Sequence, residues 1–257
     1  MRILQSRNPA TINTDWFQNK LVTAFRLRAA LDEKTTTGYR LVHGENDGLP
    51  GLVLDRYAEA LVLKLYTPAW VPHLQNFCDA LAQVSPAAHL ILRLNRSLQK
   101  QTEFLNSLSD GMTLTIQTPP SLILFKENGL IFESDPLRGQ KTGFFLDQRD
   151  NRARVEKLSK DKSVLNVFAY TGGFSVYAAR GGAKEVVSVD MSAPALEAAV
   201  LVLDDDAAVV ADLVEGGQEP VPGDLAEPGQ ARDLPADAGR HDAVLVQSLP
   251  EIGRAHV

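Results

Sequence analysis

Apolar residues recur at three- and four-residue intervals between Trp16 and Leu31, at Phe17, Leu21, Ala24, Phe25 and Leu27. That spacing predicts an amphipathic helix, with Thr14 or Asp15 available as its N-cap. The period then shortens. Tyr39 to Val42, Gly51 to Asp55 and Ala60 to Tyr66 are short apolar or alternating runs, separated by Gly44-Glu45-Asn46-Asp47-Gly48 and by Pro50-Gly51, a pattern that predicts an antiparallel meander. A second helical face follows in Trp70 to Val84, with Val71, Leu74, Phe77, Cys78 and Leu81 aligned. His89 to Leu94, Thr113 to Gln117, Leu122 to Lys126 and Leu130 to Ser134 read as further strands, and Asn128-Gly129 marks a hairpin between the last two.

From Asp135 the texture changes. An approach from Gly139 to Leu146 leads into a helix over Asp147 to Leu158, then a buried-type strand around Val164, a helix from Gly173 to Arg180 and a strand from Glu185 to Asp190. Strand, helix, strand at this spacing is a βαβ unit. The expected organisation is a leader and helix over 1–37, a central α+β domain over 38–135, and the start of a parallel α/β domain over 136–200.

Composition changes the picture near Val200. The chain of 257 residues has a net charge of −6, but residues 201–250 hold eleven acids against Arg232 and Arg240, which leaves 21 acids and 24 bases elsewhere, a net +3. A mildly basic body permits a polyanionic partner without requiring one. No aromatic residue follows Tyr177 and no lysine follows Lys184. The stretch 214–240 is rich in Pro, Gly, Asp and Glu and buries too little to offset chain entropy, so it is expected to pack poorly. The last seven residues, EIGRAHV, resemble the translation of a common sequencing-adapter oligonucleotide. With the break in composition, this marks 201–257 as an atypical, non-native or disordered tail.

Met1 to Ile12 carry Arg2 and Arg7 but no apolar signal region, and no window reaches the roughly 18 apolar residues of a membrane span. A cytoplasmic address is the default expectation. The single cysteine, Cys78, excludes an internal disulfide and any multi-cysteine metal site. Asp204-Asp205-Asp206 point in different directions as neighbours in sequence and are expected to be solvated rather than metal-binding.

The candidate chemistry lies in VLNVFAYTGGFS, Val164 to Ser175. In a βαβ unit the loop after the first strand faces the ligand crevice, its glycines let backbone approach the ligand, and the next helix presents free N–H groups. Gly172 and Gly173 occupy that place, and Asp190, at the end of the next strand, can accept the hydroxyl hydrogens of an adenosine ribose. The plainer reading makes the glycines a tight turn and Asp190 a cap on the next helix. The spacing is not G-x-G-x-x-G, which fits a dinucleotide pyrophosphate poorly and disfavours a nicotinamide-dependent oxidoreductase.

Four ordered words, YRLVHGENDGLPGLVLDRY, GQKTGFFLDQRDNR, VLNVFAYTGGFSVYAA and GGAKEVVSVDMSAPALEAA, together resemble the S-adenosylmethionine-dependent 23S ribosomal RNA cytosine-C5 methyltransferases that carry an N-terminal PUA domain. The resemblance runs from about Ser6 to Ala199. It implies an α/β fold in which the central α+β domain precedes the first half of a Rossmann-like class I methyltransferase domain. It further implies S-adenosylmethionine as cofactor and 23S ribosomal RNA as substrate. Asn166, Phe168, Ala169, Tyr170, Thr171, Gly172 and Gly173 would form the loop under the methionine moiety, Asp190 would hold the ribose, and Met191 and Ser192 would neighbour the adenine. Gln148 and Arg149 would close the site from the side.

The sequence also departs from the family pattern. Only a short leader stands where a PUA domain is expected, so the chain reads as truncated at both ends. No Asp-Pro-Pro type or Ser-Cys-Ser type motif follows Ala199, and HDAVLVQSLP has the rhythm of the strand bearing the first of these but places Gln247 and Ser248 at its key positions. Methylation at cytosine C5 requires a thiolate to add at C6 and a base to remove the C5 proton. Cys78 lies on an apolar helical face in the other domain, and His43 reads as a turn or core histidine. No catalytic residue is therefore assigned, and an inactive fragment is expected. Two other classes stay open: a related methyltransferase acting on another RNA position or on a protein, and a non-enzymatic RNA-binding module.

Overall fold

The first apolar stripe folds as α1, Thr14–Arg26, in a computed structural model that describes residues 9–192, 209–213 and 243–247. Its N-cap is Asn13 rather than Thr14 or Asp15, with the Asn13 side chain accepting from the Trp16 N–H. The helix stops five residues short of Leu31. Arg28 turns back, donating to the Ala24 carbonyl at 2.8 Å and to the Arg40 carbonyl at 3.1 Å, while Leu27 is left 71% exposed.

Contacts divide the chain into two units, Met1–Asp147 and Gln148–Val257. In the first, β1 (Gly38–His43), β2 (Leu52–Tyr57) and β3 (Ala60–Leu65) form the expected antiparallel meander. The chain crosses over through α2 (Leu74–Val84) so that β4 (His89–Leu94) joins β3 in parallel. The stretch Pro68–His73 ahead of α2 is a 3-10 helix containing Pro72, which lacks the N–H that an α-helical turn requires. Leu52, Leu54, Leu61, Leu63, Leu90 and Leu92 turn one sheet face onto Phe17, Leu21 and Phe77 of the two helices.

Thr113 to Gln117 is not a strand. Thr113 makes one isolated bridge to Ile91, after which the Thr115 hydroxyl, not its backbone, takes the Leu90 N–H and Ile116 is fully exposed. A side chain has replaced the backbone acceptor there, so the ladder ends. The hairpin does form, as β5 (Ile123–Glu127) and β6 (Leu130–Ser134). Its Phe125 and Phe132 meet Tyr57 and Phe144 in an edge-on and tilted aromatic cluster on the second face of the sheet.

Residues 136–147 belong with this unit. On β2 the fully buried Asp55 accepts from Arg40 at 2.8 and 3.1 Å and from the Thr142 hydroxyl at 2.6 Å; Tyr57 bonds the same hydroxyl and accepts the Phe144 N–H. Burial works against the Arg40 charge, yet the Asp55 carboxylate outweighs it and keeps the guanidinium protonated. Arg93 adds bonds to the Pro136 and Gly139 carbonyls, and Lys64 to that of Lys141. The contacts therefore divide the chain twelve residues beyond the boundary expected at 135.

In the second unit, α4 runs over Arg149–Leu158, after the short α3 of the first unit (Arg96–Gln99). It is followed by β7 (Ser163–Val167), α5 (Gly173–Arg180) and β8 (Glu185–Asp190). Two pieces of the segment expected to be an atypical tail are strands, β9 (Val209–Leu213) and β10 (Ala243–Gln247). All neighbours are parallel, in the order β10-β7-β8-β9. That is a Rossmann-like sheet whose direction of growth reverses between β7 and β10. The stretch 214–240, the Asp204–Asp206 run and the EIGRAHV ending lie outside the described residues.

One pH dependence follows from the Arg28–Asp47 pair. Burial disfavours the Asp47 carboxylate, but two bonds from Arg28 at 2.9 and 2.7 Å and the His43 N–H hold it below the usual carboxylate range. A carboxylate favoured by folding contributes fully above its unfolded value, about pH 4, and the contribution is lost as pH falls through the lower folded value. Urea melts from pH 6 to 2 are expected to show a steeper acid loss for the wild type than for Asp47→Asn, which should be less stable at pH 6 and nearly equal at pH 2.

Candidate functional site

The loop after β7 owes its shape to left-handed backbone at alternate residues: Phe168 at φ 62°, Tyr170 at 51° and Gly172 at 70°. For the first two this is a costly region, which a packed surrounding must enforce. Three backbone bonds do so. The Ala169 N–H reaches the Val189 carbonyl at 3.0 Å, the Gly172 N–H the Ala169 carbonyl at 3.0 Å, and Val176 the Gly172 carbonyl at 3.0 Å. α5 then starts at Gly173 with Gly172 as its N-cap, and no side-chain cap occupies its first turn.

Asp190 joins the two crevice segments. One carboxylate oxygen accepts the Tyr170 N–H at 2.7 Å and the other the Ser192 N–H at 2.9 Å. The carboxylate thereby holds the loop after β7 against the turn after β8. Each of its oxygens keeps a further lone pair for a hydroxyl donor. The Asp190 side chain is partly accessible, and Phe168 and Met191 beside it are 50% and 73% exposed, an unusual degree for such side chains.

Beneath the loop Asn166 is fully buried on β7, with its amide nitrogen donating to the Ser175 hydroxyl at 2.8 Å; Ser175 in turn shares a 2.6 Å bond with Ser188. Asn166 Oδ1 and Thr171 Oγ1 are buried without a partner among the described residues. Orphaned acceptors at such a place are costly unless a ligand or water supplies a donor. Ser175 and Ser188 were not singled out in the sequence; the available signal was a lone serine inside the apolar run Val186-Val187-Ser188-Val189.

Of the residues expected at the site, the structure brings together Asn166, Ala169, Tyr170, Thr171, Gly172, Gly173, Asp190 and Ser192, with Phe168 and Met191 at the exposed margin. Gln148 and Arg149 lie at the start of α4, and their recorded bonds run along that helix, from Asn151 to the Gln148 side chain and from Arg149 to Asp150. Gln247 ends β10 opposite Val167, at the sheet's reversal point. Parallel sheets bind ligands beyond the carboxyl ends of their strands at such a point.

Cys78 lies in the other unit, lining a cavity with Leu74, Leu108 and Leu114. Burial pushes its thiol up to about 11, with the Asp79 carboxylate adding to the effect. Among the described residues no group of three His, Cys, Asp or Glu side chains is placed to hold a metal, and no helix is long and apolar enough to cross a membrane.

A parallel sheet with a glycine-bearing first loop and an acid clasping it from the second strand defines a nucleoside-type cofactor fold. A family model for S-adenosylmethionine-dependent methyltransferases matches residues 39–201, and the chain belongs to that family. It is 47% identical over 204 residues to a ribosomal RNA large subunit methyltransferase of Deinococcus radiodurans, covering 77% of this chain and 50% of that protein. It is 40% identical over 189 residues to ribosomal RNA large subunit methyltransferase I of Vibrio vulnificus (strain CMCP6), covering 73% and 47%. The chain thus spans about half the length of the curated relatives it matches. Among solved structures, a protein from Streptococcus mutans described as a SAM-dependent methyltransferase superposes with a TM-score of 0.70 at 24% identity, over 82% of this chain and 55% of the other. A methyltransferase-class protein complexed with SAH gives 0.69 at 25% identity, over 81% and 54%.

Two outcomes are expected. Asp190→Ala removes the acceptor of two backbone N–H groups and should lower the thermal midpoint, with a loss of about 1–3 kcal/mol; an unchanged melt would show that the clasp is not structural. Cys78 should react with iodoacetamide at pH 8 roughly 100-fold more slowly than a free thiol, because so little thiolate is present. Urea should abolish the difference, and fast alkylation of the native chain would contradict its burial.

Proposed function

We propose that this chain carries the cofactor-binding part of a methyltransferase acting on large-subunit ribosomal RNA. The observation that carries this reading is the Asp190 clasp, set at the carboxyl ends of two parallel strands in a chain of the S-adenosylmethionine-dependent family. In this reading Asn166 to Gly173 lie under the methionine moiety and Asp190 accepts the ribose hydroxyls. Met191 and Ser192 border the adenine, and Gln148 and Arg149 flank the site. The residues present fit such a ligand: buried acceptors await donors, the carboxylate is already oriented, and Gly172 and Gly173 let backbone come close. When bound, S-adenosylmethionine supplies a methyl group activated by its sulfonium. The protein's part is to orient that group and exclude water around it.

The names of the Deinococcus and Vibrio relatives support ribosomal RNA as the substrate, and a ribosomal RNA substrate in turn supports a cytoplasmic location. The finer reading, cytosine C5 of 23S ribosomal RNA in a protein with a PUA domain, rests on the four sequence words alone. Its chemistry needs a thiolate, and the one thiol here is Cys78, held protonated in the other unit. We therefore expect these 257 residues to bind cofactor without turning over at cytosine C5. Transfer to a position that needs no thiol is the second reading, and it uses the same cofactor loop. Methyl transfer to unmodified large-subunit ribosomal RNA distinguishes them: labelled 5-methylcytosine made by this chain would overturn the first expectation.

The cofactor reading has a direct test. Calorimetric titration of the full chain with S-adenosylhomocysteine is expected to give saturable binding, and the same titration with reduced nicotinamide cofactor is expected to give no heat. The reverse result would reassign the site to dinucleotide chemistry.

A further inference from the structure

Three polar side chains are buried where β7, α5 and β8 meet. Asn166, Ser175 and Ser188 are 0%, 1% and 1% exposed, beside the apolar cluster of Val164, Ala178 and Val186. Asn166 and Ser188 are register partners on adjacent strands, and Ser175 of α5 bonds to both, at 2.8 Å and 2.6 Å. Alanine or valine would fill these places without the cost of desolvating an amide and two hydroxyls. The chain of bonds offsets that cost incompletely, since Asn166 Oδ1 keeps no partner among the described residues.

We infer that Ser175 and Ser188 are positioning residues for the cofactor loop, acting through Asn166. This rests on the cofactor reading above. The terminal torsion of asparagine is broad and two-fold, so an amide at the end of β7 would face either way if left alone. Ser175 takes the Asn166 N–H and thereby directs Oδ1 away from itself. Ser188 fixes the Ser175 hydroxyl, closing the remaining freedom. The result is a fixed acceptor two residues before Phe168, where the backbone turns left-handed and the loop begins. An acceptor of this kind takes an N–H or O–H donor from a bound ligand and discriminates against one that presents only acceptors.

The test uses the full chain and two variants, Ser175→Ala and Ser188→Ala. Three quantities are measured: S-adenosylhomocysteine affinity by calorimetry, the thermal midpoint, and the Asn166 side-chain amide signals in a nitrogen-15 correlation spectrum, assigned by their loss in Asn166→Asp. Each serine variant is expected to melt cooperatively, to shift the Asn166 amide signals and to bind about tenfold more weakly, the equivalent of one lost hydrogen bond. Wild-type affinity in Ser188→Ala, whatever its melt, would reduce the serines to packing and overturn the inference. Ser188→Ala is the deciding variant if Ser175→Ala does not fold. If the wild type binds no S-adenosylhomocysteine while its Asn166 amide is still locked, the cofactor reading fails and takes this inference with it. Binding by the wild type and equal binding by both variants sinks this inference alone.

Discussion

A carboxylate that accepts two backbone N–H groups from different loops is a strong restraint, because charge-assisted bonds to a backbone amide are short and roughly twice as strong as neutral ones. Asp190 makes two of them, to Tyr170 at 2.7 Å and Ser192 at 2.9 Å. With the backbone bonds from Ala169 to Val189 and from Gly172 to Ala169, that acceptor helps to hold Phe168 and Tyr170 in a left-handed conformation that side chains avoid. The loop after β7 and the turn after β8, with Phe168 and Met191 at their margin, are joined through it. A structural clasp and a ribose acceptor are compatible duties for one carboxylate, since each oxygen accepts more than one hydrogen bond.

One buried polar set in the first unit is fully paired, although Ser134 Oγ of the same unit has no partner among the described residues. Arg40, Asp55, Thr142 and Tyr57 form a connected set in which each buried group has a partner. The set binds residues 136–147 across the second face of the sheet and joins the aromatic cluster of Phe125, Phe132 and Phe144. In the second unit the set of Asn166, Ser175 and Ser188 stops one bond short. A completed network serves packing specificity, whereas an incomplete one at a loop is where a ligand's donor fits.

The sequence offered Asp190 either as a ribose acceptor or as a cap on the following helix; in the structure it accepts the Ser192 N–H in the turn after β8 and the Tyr170 N–H of the glycine loop. The helices and strands were legible wherever period alone decides them, as in α5 and the hairpin at Asn128-Gly129. The failures came where a side chain competes with backbone. Arg28 ends α1 early, and Thr115 takes the Leu90 N–H that would have extended a strand. Propensity and period do not register such competition, because it depends on which distant carbonyl or amide arrives beside the side chain.

The chain's own pattern determined the βαβ unit, the glycine loop, the acid at the end of β8 and the absence of a second thiol, since each is a matter of local spacing or of simple count. The tertiary structure alone decided three things: that β10 returns beside β7 to create the reversal point of the sheet, that residues 136–147 pack with the first unit, and that Asn166, Ser175 and Ser188 meet. Parallel pairing and buried polar contact join residues that are distant in sequence. Their energies are set by what lies alongside in space, which no local period encodes.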